Sequence, residues 1–411
     1  MRFIERASWS QRITSGISGC LTFGALFGWA LFGPGGLSAA RAAKVEDQVA
    51  ALKAVGAEGA GNAKATEAWK QLSQSDAAAL PAILGGLDDA NPLAANWLRA
   101  SVDAIAEREL RKGAKLPAAD LEKFALDTAH APRARRLAFE WLCRADKTAA
   151  DRLIPKMLND PSVEFRRDAV ARLLTEADGL DEDKKTEAAA KVYRGALVGA
   201  RDLDQVQQIV KKLESYGQTV DVPAHFGYLM EWKLIGPFDN TAEKGFDVAS
   251  PPEKELKLTA EYPGKTGPVK WIDHATDDTY GKVDLNKSLL KANGVTAYAT
   301  TEFTAAEARP IELRLATVDA NKIWLNGEQI AANNVYHAGE KMDQYIARGN
   351  LKKGKNVILV KILQNEQKEE WAQDWDFKLR VCDSTGTAVL SKDRPATKPK
   401  AAADKKEQAA K

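Results

Sequence analysis

Cysteine and histidine are scarce in this chain of 411 residues, and that scarcity excludes several kinds of chemistry. The three cysteines are Cys20, Cys143 and Cys382. Cys20 falls in a segment expected to be removed and the others lie in different expected domains, so no disulfide framework is predicted. The four histidines, His130, His225, His274 and His337, include no H-E-x-x-H, and no Cys/His cluster has metal-ligand spacing. A G-x-S-x-G elbow and a phosphate-cradling glycine loop are both missing. Carboxylate pairs such as Glu369-Glu370 stand in charged runs, where a solvated face is the default, although a glycosidase pair across a cleft leaves no mark in sequence. Charge of one sign is lacking too. Lys and Arg number 59 against 57 Asp and Glu, a formal net of +2, which argues against a dedicated nucleic-acid binder. No enzyme and no cofactor are expected. Structural calcium would draw on Asp239 and Asp247, or on Asp273, Asp277 and Asp278, but EF-hand spacing is missing.

The N-terminus carries Arg2, Arg6 and Arg12 against Glu5, then an uncharged stretch from Ile13 to Ala40 with an apolar core at Leu21–Phe32. Small residues follow, and Ala40-Arg41-Ala42 matches the A-x-A pattern. These are the three parts of a secretory signal, with the mature chain starting about Lys44 and the product periplasmic or secreted. An uncut membrane anchor is the alternative, since the run nearly spans a bilayer. The break at Pro34-Gly35-Gly36 favours the signal. Ile17-Ser18-Gly19-Cys20 has lipobox-like lettering, but the apolar core follows the cysteine instead of preceding it.

From residue 44 to 217 the apolar residues recur at i, i+3, i+4 and i+7, which predicts amphipathic helices. One stripe is Leu93, Ala94, Trp97, Leu98, Val102 and Ile105; a second is Ala134, Leu137, Ala138, Trp141 and Leu142. A third is Phe165, Ala169, Val170, Leu173 and Leu174; a fourth is Val206, Ile209, Val210 and Leu213. Asn91-Pro92, Ala131-Pro132 and Asp160-Pro161 separate them, with proline expected in the first helical turn. The units repeat at roughly thirty to forty residues. Arg152–Val170, with its Asp-Pro turn and its Phe-Arg-x-x-Ala second helix, resembles a HEAT repeat. That resemblance implies a stacked helical solenoid whose extended surface holds other proteins. Arg135, Arg136, Arg166 and Arg167 are candidates for a basic strip facing an acidic partner; the alternative is that they bond within the stack.

After Gly217 the rhythm changes to a period of two. Ile311, Leu313 and Leu315 alternate with Glu312, Arg314 and Ala316, which predicts one dry and one wet face. Trp375, Phe377, Leu379 and Val381 do likewise, and Asn356–Leu363 is apolar on both faces, as a central strand is. Asn326-Gly327 between two short strands is a hairpin signal. The order of Ala297–Phe303, Val318–Gly327 with its Trp-Leu-Asn-Gly, and Leu351–Lys361 with Gly354-Lys355-Asn356 resembles the galactose-binding-like jelly roll, particularly the sugar-binding domain of family 2 glycoside hydrolases. Trp232–Phe238 is similar to the first strand of related exported bacterial sandwiches. The resemblance implies an antiparallel β-sandwich, and it is weak for function because the matching residues build strands and turns.

A sugar site needs aromatic faces and planar polar groups. Asn333, Asn334, Tyr336 and His337 in one predicted loop, and Asn365 with Trp371 in another, have that mixture. Trp324, Trp375 and Asn326 are read as core and turn residues. The expected organisation is therefore a signal or anchor over 1–43, a helical HEAT-like domain over 44–217, a galactose-binding-like β-sandwich over 225–390, and a disordered Lys/Ala/Pro-rich tail over 391–411. The expected function is exported, non-catalytic binding or scaffolding: helical repeats for a protein partner, the sandwich for carbohydrate or protein, and nucleic acid for neither. Two alternatives remain: a purely structural envelope module, and an accessory subunit of a polysaccharide-degrading hydrolase.

Overall fold

A computed structural model describes residues 34–395, with side chains from Ala42 onward. The apolar core at 21–32, Cys20 and the tail beyond Pro395 lie outside the described residues. A helical region comes first and antiparallel sheets follow. The first helix, Pro34–Lys53, corrects one expectation: Pro34 opens it and the two glycines continue it, so Pro34-Gly35-Gly36 is not a break. No helix among the described residues is long and apolar enough to cross a membrane.

Further helices follow the predicted stripes. Pro92–Arg111 buries Ala94, Leu98, Val102 and Ile105. Leu93, expected inside, sits in the first turn and is 46% exposed. Asn91 caps this helix by accepting from the Ala94 amide at 2.9 Å, beside Pro92 in the first turn. Pro132–Ala145 and Leu203–Ser215 bury every stripe residue predicted for them. Pro161 stands outside its helix, which runs Val163–Glu182. Ser162 is the cap there, and its own amide donates to the Asp160 carboxylate at 2.8 Å. Val163–Glu182 packs on Thr186–Gly199, which packs on Leu203–Ser215. A short helix, Val222–Phe226, extends this region past the expected boundary.

The strands are β1 Glu231–Asp239, β2 Glu261–Pro263, β3 Pro268–Lys270, β4 Ile272–Ala275, β5 Val283–Asp284 and β6 Val295–Ala305. After them come β7 Arg309–Ala316, β8 Ala320–Leu325, β9 Glu328–Asn333, β10 Tyr345–Leu351, β11 Gly354–Gln364 and β12 Asp376–Cys382. A six-stranded sheet runs β4-β1-β6-β11-β8-β9 and a four-stranded sheet β10-β7-β12-β5, with β2-β3 as a small hairpin. The two larger sheets share one core, built from Trp232, Phe303, Leu313, Ile358, Trp375 and Phe377 among others. The predicted central strand, β11, lies between β6 and β8. Asn326 (φ 54°) and Gly327 (φ 84°) make the predicted β8–β9 turn.

Much of the predicted wet face of the four-stranded sheet is covered, although Ile346 and Arg348 on β10 are exposed. Glu312, Arg380 and Cys382 are buried: the end of the helical region lies against Arg380, and Glu312 accepts from Arg314 and Arg348. Arg380 donates to the Phe226 carbonyl at 3.1 Å, and its guanidinium is forked onto Asp343. The Leu229 amide donates to the Leu379 carbonyl (3.0 Å) and the Val381 amide to the Gly227 carbonyl (2.9 Å). Gly227 has φ 80°, and a Cβ there would meet the Val381 carbonyl oxygen at 2.3 Å, so only glycine fits.

His225 belongs to this joint. Its Nε2 donates to the Ala200 carbonyl at 2.9 Å, since a carbonyl only accepts. Burial, with the Arg201 and Arg380 charges nearby, pushes its pKa down to about 4. Above the unfolded value of about 6.5 the ring is neutral in both states and pH has no effect through it. Below that, the unfolded chain takes up a proton the folded chain refuses. Stability should therefore fall between about pH 6.5 and 4 by up to about 3 kcal/mol. Urea unfolding of the native chain and of His225→Gln across that range checks this: the variant should lose part of the slope, and identical slopes would remove His225 as its source.

Candidate functional site

The order of the six-stranded sheet places the candidate site. Neighbouring strands are antiparallel throughout, so β1, β11 and β9 run in one sense and their C-terminal ends leave the sheet at one end. Three loops therefore converge: 240–246 after β1, 365–375 after β11, and 334–344 after β9.

Tyr336, His337, Asn365 and Trp371, chosen from sequence, meet there. The Asn365 Oδ1 only accepts, so His337 Nε2 donates to it, at 3.1 Å. The His337 ring stands edge-to-face on Trp371, with centroids 5.1 Å apart and planes at 80°. Trp371 is 66% exposed, the most exposed of the large apolar side chains among the described residues. Asn365 is buried and donates through Nδ2 to Glu243 (3.3 Å) and to Gln367 (3.2 Å). Tyr336 is half-buried, and its hydroxyl accepts from Asn240 Nδ2 at 3.2 Å; burial pushes its pKa up. The Ala242 amide donates to Glu366 at 2.9 Å, tying the first loop to the second. Between these two loops lies a cavity of about 600 Å³, lined by Glu243, Asn365, Glu366, Gln367, Lys368 and Glu369.

Backbone conformation at this end is unusual. Ala242 (φ 56°), Glu243 (φ 60°) and His337 (φ 54°) are all left-handed without being glycine. Each such residue costs on the order of 1 kcal/mol or more, and such residues gather at ligand-binding loops. The remaining two candidates fare differently. Asn333 is spent on the strand pair, donating to Asn321 Oδ1 at 2.9 Å, while Asn334 is exposed beside the cluster. Sequence reading missed Asn240, Glu243 and Gln367, because loop convergence depends on strand sense and not on local pattern.

Beneath the loops, Asp319 is fully buried, and neither carboxylate oxygen has a hydrogen-bond partner among the described residues. Burial, with Asp376 and Asp374 nearby, pushes its pKa well above the usual carboxylate range.

The four candidate arginines of the helical region do not form a free basic strip. Arg135 is 1% exposed, forks onto Asp160 at 2.8 and 2.7 Å and donates to the Ala125 carbonyl. Arg136 pairs with Asp168 and Glu140. Arg166, also buried, donates to the Asp160 carbonyl (2.8 Å) and reaches Thr387 across the joint (3.4 Å). Arg167 is the most open of them and is forked onto Asp204 at 2.9 and 2.7 Å. The intramolecular alternative is what the geometry shows, because each guanidinium faces acids or carbonyls of this same chain. Among the possible calcium ligands, Asp239 pairs with Lys265, Asp273 with Lys233, and Asp278 accepts from the Tyr280 amide. No group of three or more His, Cys, Asp or Glu side chains among the described residues is placed to hold a metal ion.

A larger cavity, about 1080 Å³, lies at the joint between Thr219–Pro223, β1, β4, β6 and the segment Val389–Pro395. Sequence reading gave no sign of it.

No protein-family model matches the chain, and neither does any curated protein. Among solved structures, it is similar to a β-glucosidase from Kluyveromyces marxianus in complex with glucose. That match has 15% identity and a TM-score of 0.24, and covers 37% of this chain but only 16% of the enzyme's length. A family 35 carbohydrate binding module from Clostridium thermocellum is matched at 16% identity and a TM-score of 0.17, over 22% of this chain and 72% of the module. An anti-sigma factor domain-containing protein from Clostridium clariflavum follows at 10% identity and a TM-score of 0.25, over 42% of this chain and 48% of that one. Likenesses this slight carry no argument about what the chain binds.

Proposed function

We propose that the chain is an exported, non-catalytic binding protein that holds glycan at the loop end of its β-sandwich. The sandwich is read as a galactose-binding-like jelly roll and the helical region as a HEAT-like array that serves as scaffold. The observation that carries the glycan reading is Trp371, exposed and braced edge-on by His337, beside Asn365 and a cavity rimmed with amides and carboxylates. An exposed flat ring offers the apolar side of a sugar a stacking surface, and fixed amides and carboxylates answer its hydroxyls. Candidate proton-transfer groups at this end are spent on holding loops together, which supports binding over catalysis: Glu243 accepts from Asn365, and Glu366 from Ala242. A second reading, assembly without glycan, draws on the other face of the sandwich, which is packed against helices through Arg380 and Gly227.

A glycan array probed with the full chain, followed by titration calorimetry on any glycan retained, separates the two. Trp371→Ala should weaken that glycan about thirtyfold, since truncating a central aromatic anchor removes roughly 2 kcal/mol. A wild-type chain that retains no glycan, or a variant that binds as well as wild type, would leave only the assembly reading.

A further inference from the structure

The cavity at the joint is distinct from the loop cluster. Its floor includes the part of the six-stranded sheet's outer face that carries Glu231, Lys233, Thr300, Glu302 and Val357. Its apolar surface includes Met230, Leu256, Leu258 and Leu390, of which Leu258 is 38% and Leu390 45% exposed. Its charge is lopsided. Eight carboxylates line it, Glu231, Asp273, Asp277 and Glu302 among them, against only Lys233 and Arg394. Both cations are already engaged, Lys233 with Asp273 and Arg394 with Asp221. The whole chain carries a formal charge of +2, so this acidity is local. β4, which lines the cavity through Asp273 and Ala275, is the edge strand of its sheet and pairs only with β1 among the described residues.

We infer that this cavity is a docking groove for an extended, cationic segment of a partner protein, one in which Lys or Arg alternates with apolar side chains. The alternation follows from the period of a strand: one face of such a segment meets Leu256, Leu258 and Leu390, while the other presents cations to Glu231 and Asp277. The edge of β4 offers backbone groups for the segment to pair with. Opposite charge across the groove raises the association rate and selects against acidic partners. The chain's own terminus, which continues from Pro395 at the rim, is cationic at Lys398, Lys400, Lys405, Lys406 and Lys411 but has only alanine, threonine and proline to offer the apolar leucines.

Calorimetry of the full chain against a peptide alternating lysine and valine tests this, with its glutamate-valine counterpart as control. The lysine peptide should bind, more weakly as salt rises, and the glutamate peptide should not. Glu231→Lys with Asp277→Lys should lower the affinity about tenfold or more, and Leu258→Ser should lower it separately. All three positions are exposed, so the variants keep the fold. The proposal is overturned if both peptides bind alike or if charge reversal leaves the affinity unchanged. It is also overturned if the lysine peptide binds only after truncation at Pro395, which would make the tail the occupant.

Discussion

Replacing Arg380 with alanine should destabilise the protein by about 3 kcal/mol, toward the lower end of the 3–5 kcal/mol expected when one member of a buried ion pair is removed. The reason is the number of groups that one guanidinium satisfies. It forks onto Asp343, and its Nη1 donates to the Phe226 carbonyl and the Gly386 carbonyl, each at 3.1 Å. The side chain is 2% exposed. Although burial pulls the Asp343 carboxyl up, Arg380 and Arg314 together hold it below the usual range. Arg314 keeps Asp343 paired at 2.7 Å after the substitution, which is why the loss stays near the low end. The two carbonyls have no such substitute, and each unsatisfied buried acceptor costs on the order of 1 kcal/mol or more. Arg380→Lys keeps the charge but loses the fork, so it should recover only part of the loss. Denaturant unfolding measures both, and an Arg380→Ala variant within 0.5 kcal/mol of wild type, roughly the spread of neutral surface changes, would mean the joint does not depend on this side chain.

Asp319→Asn should act in the opposite direction. In the folded chain burial holds the Asp319 carboxyl well above its ordinary range, so the folded state keeps a proton that the unfolded state gives up at about pH 4. Stability from this group is fully present below that pH and is lost as pH rises. Asparagine has no charge to bury. The variant should be more stable than wild type at pH 7 by about 1 kcal/mol or more, since each unit by which the folded pKa exceeds the unfolded one is worth about 1.4 kcal/mol. That is a rise in melting temperature of roughly 2–4 °C per kcal/mol. The advantage should shrink as pH approaches 4. Thermal unfolding at both pH values decides it: a variant less stable at pH 7, or an offset that ignores pH, would show that Asp319 does not carry a buried charge penalty.

Much of the architecture could be read from periodicity, because burial imposes it directly. The stripes at Ala134–Leu142 and Val206–Leu213 are buried as predicted, and β11 is central as its two apolar faces demand. Reading failed where tertiary contact overrode local pattern. Glu312 and Arg380 alternate with core residues and so read as solvated, yet Glu312 is buried against Arg314, and Arg380 is buried between Asp343 and the end of the helical region. Leu93 fits the core stripe, yet it stands on the outward side of a first turn whose inward side is taken by Ala94. At the loop end, side-chain type singles out Tyr336, His337, Asn365 and Trp371, and the structure brings these four together. Glu243 lay beyond reach because nothing in its own neighbourhood says which distant loop it will meet. The groove at the joint was invisible for the same reason, being assembled from segments far apart in the chain.

The shared sense of β1, β9 and β11 has a consequence for how such a molecule changes over time. Insertions or exchanges within 240–246, 365–375 and the part of the third loop before Glu340 leave the strand register intact and spare Asp343, onto which Arg380 forks. Under the proposed glycan reading, ligand preference can therefore drift, or be redesigned by grafting those segments, while the attachment between the two halves of the protein is inherited unchanged.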